Sequence, residues 1–330
     1  MPPINRPLQG LRVIDLCHGR GDLCGRLLGD LGADVLLVEP PTGSTSRRLP
    51  PFGTDGSSLY FAYRNTNKRS AILDLSDQVD RDRLLSLAAH ADVVVESSPP
   101  GHLASLGIGA ENLAATNSDR VIASLTDFGQ TGPYRDMEST DDVILGLSGW
   151  LALSGIPEKP PLLPPCTLAS DTLGILGVHA ILVALVQRSR GGGGQHLDVS
   201  ALEAVAQMNT WGVPLASHRR HLGAGMSTLR QGDSLMYPTV PCADGAVRQV
   251  VLTPGQWRAM WEWMDQPEEF AGEYWESFAN RLAHLRQINE AFAKHWSDRT
   301  MVEGCREAQR RGIVATPMLN PADILIDEHF

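Results

Sequence analysis

Positive charge is in short supply in this chain: 28 Lys and Arg stand against 38 Asp and Glu, a formal net charge of −10. That balance argues against nucleic acid or an anionic membrane as a partner, and leaves room for a local basic pocket of the kind that holds a phosphate. Cysteine is scarce too, with five residues at positions 17, 24, 166, 242 and 305. An odd number with no close pair at metal-ligand spacing counts against a disulfide framework and against zinc, and reads as reduced intracellular thiols. The N-terminus lacks a basic-then-apolar leader, and no uninterrupted apolar run approaches the roughly 20 residues of a membrane span. The expectation is therefore a cytoplasmic protein with no metal, no nucleic-acid partner and no membrane partner. At 330 residues, 42% hydrophobic and 20% charged, the chain is long enough for one large or two moderate domains.

The most informative stretch runs from Pro160 to Ser200. A proline-rich approach ends at Ser170-Asp171, and a long apolar run follows from Leu173 to Val186, interrupted by His179. Arg188 and Arg190 then lead into four glycines, Gly191 to Gly194. Polar start, apolar run, basic end and glycine stop are the punctuation of a helix, and one apolar on almost every face is expected to be buried. Asp171 falls where the unpaired N–H groups and the positive dipole end would lie. By spacing alone it reads as a helix cap, although Ser170 could cap as well and leave Asp171 free.

The N-terminal part alternates strand and helix. Leu11–Leu16 reads as a strand, Cys17-His18-Gly19-Arg20-Gly21-Asp22 as a turn, Leu23–Leu31 as a helix stopped by Gly32, and Asp34–Glu39 as a second strand. This is the βαβ unit of a doubly wound parallel sheet. A nicotinamide-binding turn with Glu39 as the ribose acid is disfavoured, because the glycines do not keep the G-x-G-x-x-G spacing. Thr42–Ser58 is a loop, Ala71–Leu75 a short strand, and further strands are expected at Asp92–Glu96, Arg120–Leu125 and Leu197–Ser200. Arg64-Asn65-Thr66-Asn67-Lys68-Arg69-Ser70 carries three cations, which suits either a phosphate or plain solvent. Beyond about Gly212 the character changes to a hairpin with Asp244-Gly245 at its turn, then three helical segments whose tryptophans, Trp257, Trp261, Trp263, Trp275 and Trp296, read as core.

Five patterns together resemble the class III CoA-transferases, the group that contains formyl-CoA and carnitine CoA-transferases. They are L-A-S-D-x-x-G ending at Gly174; R-x-x-x-G-x-G-Q-x-x-D-V-S from Arg188, followed by Leu202-Glu203-Ala204; N-x-N-K-R-S from Asn65; Glu96 with Pro100-Gly101; and F-G-x-x-G-P-Y from Phe128. At one of these the chain departs from the family, having Ser97 and Ser98 where an amide and an aromatic residue are usual. The resemblance implies an α/β fold with a Rossmann-like parallel-sheet large domain (1–212), a smaller α+β domain (213–330) and an interlocked homodimer. It also implies that the family's C-terminal return to the large domain is missing. Asp171 is then the covalent nucleophile. His18, Gly19, Arg20, Arg64, Asn65, Asn67, Lys68, Ser97, Ser98, Gly129 and Asp141 become the CoA contacts. No cofactor is tightly bound, coenzyme A or acyl-CoA and a carboxylic acid are the substrates, and backbone N–H groups of the glycine-rich and Phe128-Gly129 turns are candidates for an oxyanion site. Two other outcomes stay open: a 2-methylacyl-CoA racemase, whose usual histidine is replaced here by Thr140, and a CoA-binding homologue without catalysis.

Overall fold

The computed structural model describes residues 6–156, 158–210, 212–214, 216–217 and 237–329. Two compact units divide the chain, Met1–Arg230 and Gln231–Phe330. Residues 218–236, where the division falls, and Trp211 lie outside the described residues.

The first unit is built on six strands, β1 (Arg12–Leu16), β2 (Asp34–Glu39), β3 (Lys68–Ile72), β4 (Val93–Glu96), β5 (Val121–Thr126) and β6 (Gln195–Ser200). All are parallel, in the order β3-β2-β1-β4-β5-β6, which reverses direction between β1 and β4. The central strands are buried on both faces, which is why they read as nearly unbroken Val/Ile runs. Successive residues serve opposite layers. Val13, Val93, Val95, Val121 and Leu125 pack with Leu28 and Leu173 on one side, while Ile14, Val94 and Ile122 pack with Leu84 and Leu113 on the other. The first layer contains α1 (Asp22–Asp30) and α7 (Leu168–Gln187). The second contains α3 (Gln78–Ala89), with the short α4 (His102–Ser105) and α5 (Ala110–Thr116). Three more helices, α2 (Leu59–Arg64), α6 (Asp141–Leu147) and α8 (Ala201–Met208), belong to the same unit.

Helix α7 begins at Leu168, earlier than the expected start at Ser170-Asp171. It packs against α1 closely enough that a Cβ on Gly174 would meet Leu23 Cβ at 3.0 Å and the Cys24 nitrogen at 3.2 Å. Its burial is incomplete, contrary to expectation: Ile175, Val183 and Val186 are 57%, 55% and 50% exposed. The segment Leu168–Gly192 is, by length and composition alone, long and apolar enough to cross a membrane. The expectation that no apolar run approaches such a length does not hold for this segment, whose apolar character carries across Ser170, Asp171 and His179. Strand β3 is a second correction, since it begins at Lys68 within what looked like a cationic loop.

In the second unit a three-stranded antiparallel sheet, β7 (Thr239–Cys242), β8 (Gly245–Val250) and β9 (Val314–Pro317), is joined by α9 (Pro254–Trp263), α10 (Phe278–Ala283), α11 (Leu285–Trp296), α12 (Met301–Arg310) and the short α13 (Pro321–Ile324). The break between α10 and α11 at His284 turns the three expected helical segments into a larger set. Trp257, Trp263, Trp275 and Trp296 are buried in the core of this unit, and the Trp261 indole, partly buried, donates to Pro267 O at 3.0 Å. The architecture is the expected α/β: a Rossmann-like parallel sheet and a smaller α+β unit.

Candidate active site

The N-terminal turn of α7 is capped from a distance. Thr167 precedes the helix without a side-chain capping bond, and Asp141, first residue of α6, takes that role. Its Oδ2 accepts from the backbone N–H of Ala169 at 2.9 Å and of Ser170 at 3.1 Å, and its Oδ1 accepts from Ser170 Oγ at 2.7 Å. The Ala169 and Ser170 N–H groups, which could have drawn the Asp171 carboxylate into a cap, are thereby satisfied. Asp171 instead makes an ordinary helical bond from its N–H to Thr167 O at 2.9 Å. Its side chain, 28% exposed, points at Arg64, the last residue of α2. Arg64 Nη2 donates to Asp171 Oδ2 at 2.9 Å and Nη1 pairs with Oδ1, the planar fork that guanidinium and carboxylate form best. Among the described residues Asp171 has no other side-chain partner. Arg64 is held in turn: Nη2 also reaches Thr167 Oγ1 at 2.9 Å, and its Cζ lies 5.1 Å from the Tyr60 ring centroid.

Arg20 ties the turn after β1 to the same place. Its Nε is 2.5 Å from Asp127 Oδ1, and its Nη1 is 2.9 Å from Asp141 Oδ1 and 3.0 Å from Ser170 Oγ. With Ser97, Ser98, Thr126 and Ser139 it lines a cleft of about 440 Å³. A second cleft of about 320 Å³ opens beside it, lined by Leu16, His18, Val38, Leu75, Ser98 and His102, so Ser98 borders both. Both sit at the carboxyl ends of β1 and β4, the point where strand order reverses and open α/β sheets take ligands. Burial lowers the His18 pKa, favouring the neutral ring, and its Nδ1 has no hydrogen-bond partner among the described residues. The Gly19 N–H, however, is committed: it donates to Asp22 Oδ1 at 2.8 Å. Asp22, buried at the start of α1, occupies the helix terminus where a dinucleotide fold would bind pyrophosphate.

The 64–70 segment scatters its cations rather than pooling them. Lys68 turns inward, its side chain 1% exposed, with Nζ 2.7 Å from Asp15 Oδ2, 2.7 Å from Asn65 Oδ1 and 2.8 Å from Asp22 O. Burial alone would lower the Lys68 pKa, but Asp15 and Asp22 outweigh it and the pKa is raised. Gly25 makes room for the pair, since a Cβ there would lie 1.9 Å from Asp15 Oδ2. Asn65 is buried beside it and donates to Phe61 O at 3.2 Å. Asn67 points to the surface and bonds Asp30 at 2.6 Å, and Arg69 forks Asp34. Of this run only Arg64 reaches Asp171; the others hold the turn together. Gly129 donates its N–H to Thr126 Oγ1 at 3.0 Å, and the next N–H, of Gln130, goes to Asp198, so neither of these two N–H groups is open to an oxyanion. Thr140, at the racemase position, caps α6.

The description CoA-transferase family III matches residues 8–330. The chain belongs to this family. A probable CoA-transferase of Mycobacterium tuberculosis is 40% identical over 97% of the chain, which covers 41% of that protein. The chain thus spans less than half the length of that relative. The succinate–glutarate CoA-transferase of Agrobacterium fabrum is 33% identical over 92% of the chain and 79% of its own length. Among solved structures, a CAIB/BAIF family protein from Brucella suis superposes with a TM-score of 0.86 at 29% identity, over 98% of this chain and 87% of that one.

Within this family III chain some of the residues at the site carried no signal in the sequence. Tyr60 and Thr167 support Arg64, and Asp127 holds Arg20, yet none falls in a recognisable spacing. Arg47 is the clearest case. It forks Glu39 through Nε at 2.6 Å and Nη2 at 2.7 Å, while Ser70 Oγ and the Ser44 N–H supply further donors at 2.5 and 2.9 Å. The Arg47 hydrogen bonds lead in drawing the Glu39 pKa down to about 2. The acid that a nicotinamide reading would assign to a ribose is thus saturated by its own chain.

Proposed function

We propose that the chain moves CoA between an acyl-CoA and a free carboxylic acid, with Asp171 as the covalent nucleophile. The observation that carries the reading is the setting of Asp171: a partly open carboxylate, released from helix capping by Asp141 and oriented by the Arg64 fork. A carboxylate is a weak nucleophile unless it is oriented and partly stripped of water, and this setting supplies both conditions. An Asp171 oxygen attacks the thioester carbonyl carbon, the C–S bond breaks, and CoA leaves as the thiolate. The product is an acyl-aspartyl anhydride. The thiolate then attacks the aspartyl carbonyl, forming an aspartyl-CoA thioester and releasing the first acid as its carboxylate. The acceptor carboxylate repeats the two steps in reverse order and leaves as the new acyl-CoA, with Asp171 ionised again. Each intermediate keeps the energy of the thioester, so the exchange balances without ATP.

The clefts beside His18, Arg20, Ser97 and Ser98 are where CoA would lie. A dicarboxylic acyl group is the first to test, since the Agrobacterium relative carries succinate and glutarate in its name. A homodimer in the cytoplasm remains part of the proposal. The exposed Ile175, Val183 and Val186 of α7 support it, as an apolar stripe that a second copy could cover. The test is mass spectrometry of the folded chain mixed with acyl-CoAs, succinyl-CoA among them, and free acids, among them glutarate. New acyl-CoA species are expected. No exchange with any pair, by a folded sample that binds CoA, would leave the non-catalytic reading in place.

A further inference from the structure

We propose that Arg64 is the carboxylate receptor of the site: it neutralises Asp171 in the free chain and passes to the carboxylate of the acid once Asp171 is acylated. This rests on Asp171 being the nucleophile. The geometry that motivates it is the fork itself. A guanidinium stays charged throughout the physiological range, and the Arg64 side chain is only 9% exposed. In the free chain its charge is balanced by Asp171 through both carboxylate oxygens. When Asp171 forms its bond to the acyl carbon, its negative charge leaves with the CoA thiolate. The resulting anhydride is neutral, as is the aspartyl-CoA thioester that follows.

Arg64 then sits nearly buried without a counter-ion. Its other partners among the described residues, Thr167 Oγ1 and the Tyr60 and Tyr63 rings, hold the plane of the guanidinium in place and supply no net negative charge. A buried unpaired cation is costly, and a planar carboxylate is its best replacement partner. The acid therefore binds weakly while Asp171 is free and tightly once Asp171 is acylated. When the new acyl-CoA departs, Asp171 recovers its charge and reclaims Arg64. The pair thus orders the half-reactions and keeps a free acid from occupying the site ahead of the thioester.

Asp171→Asn imitates the neutral, acylated state in a chain that cannot react, which permits a binding test independent of turnover. Wild type, Asp171→Asn and the double variant Asp171→Asn/Arg64→Gln are titrated calorimetrically with acetate, succinate, glutarate and benzoate, in a carboxylate-free buffer. Circular dichroism checks that each is folded, and Asp171→Ala serves as a second neutral variant. At least one acid should bind the Asn variant about ten-fold or more tighter than wild type, the gain should disappear in the double variant, and the matching amide should show no gain. If no acid gains in either neutral variant, or if the gain survives Arg64→Gln, the proposal is overturned. Trapping of an acyl group on wild-type Asp171 separates the two ideas. An adduct without the affinity gain removes only the role of Arg64, and no adduct removes the nucleophile reading on which it stands.

Discussion

Replacing Lys68 by Met should cost this protein a large part of its stability through what it does to the core. The Lys68 and Asp15 side chains are 1% and 0% exposed, with Nζ and Oδ2 2.7 Å apart. Lys68 also joins Asn65 Oδ1 and Asp22 O, linking β3 to the end of α2 and the start of α1. Met fills much of the same volume but leaves the buried Asp15 carboxyl without its cation, with the Cys17 N–H at 2.9 Å as a remaining donor. Breaking one side of a buried pair costs about 3–5 kcal/mol, against a total stability on the order of 5–15 kcal/mol. Removing both charges with Lys68→Met/Asp15→Asn should recover most of that loss. Urea denaturation followed by far-UV circular dichroism measures both. A loss below about 1 kcal/mol in Lys68→Met, or a double variant no more stable than the single one, would refute the reasoning.

Glu39 has its pKa lowered from 4.5 to about 2, so its contribution is complete above pH 4.5 and is lost as pH falls toward 2. After allowing for the half-exposed Arg47, Glu39→Gln should cost about 2 kcal/mol at pH 7, with the gap to wild type closing across that acid window in thermal melts. Asp141→Ala removes the distant cap of α7 and should cost about 1–2 kcal/mol, seen as a Tm several degrees lower; an unchanged Tm would mean that water replaces the cap without loss. A chiral 2-methylacyl-CoA in deuterium oxide should show no catalysed exchange of its alpha proton, because Thr140 is occupied as a helix cap and is no base at neutral pH.

The layered sheet was legible because its strands carry their own signal. Asp34–Glu39 was placed residue for residue, and the Val-rich β4 and β5 to within a residue or so, since burial on both faces demands unbroken apolar runs. The edge strand β3 was harder. It has a neighbour on one side only, and its Ile72 is 65% exposed, so nothing in Lys68-Arg69-Ser70 marks a strand. The start of α7 was misplaced for a different reason: its cap comes from Asp141, and local spacing carries no trace of a partner so distant in the chain. The same limit applies to the site. Asp171 stood out by its place before an apolar run, whereas the Arg64 fork and the inward turn of Lys68 depend on how α2 and β3 meet α1 and α7. A polar run of three cations gives no hint that one faces a carboxylate, one enters the core and one lies on the surface.

The most direct test of the account is the mass of the peptide containing Asp171 after the chain is mixed with succinyl-CoA or another working donor. The wild type should carry an acyl or CoA adduct on that peptide, and hydroxylamine should convert it to a hydroxamate. Asp171→Asn takes the counter-ion from Arg64 at some cost in stability, and the folded variant should still bind CoA while losing both the adduct and the transfer of CoA. Undiminished transfer by the folded Asn variant, with no adduct on the wild-type peptide, would contradict the account.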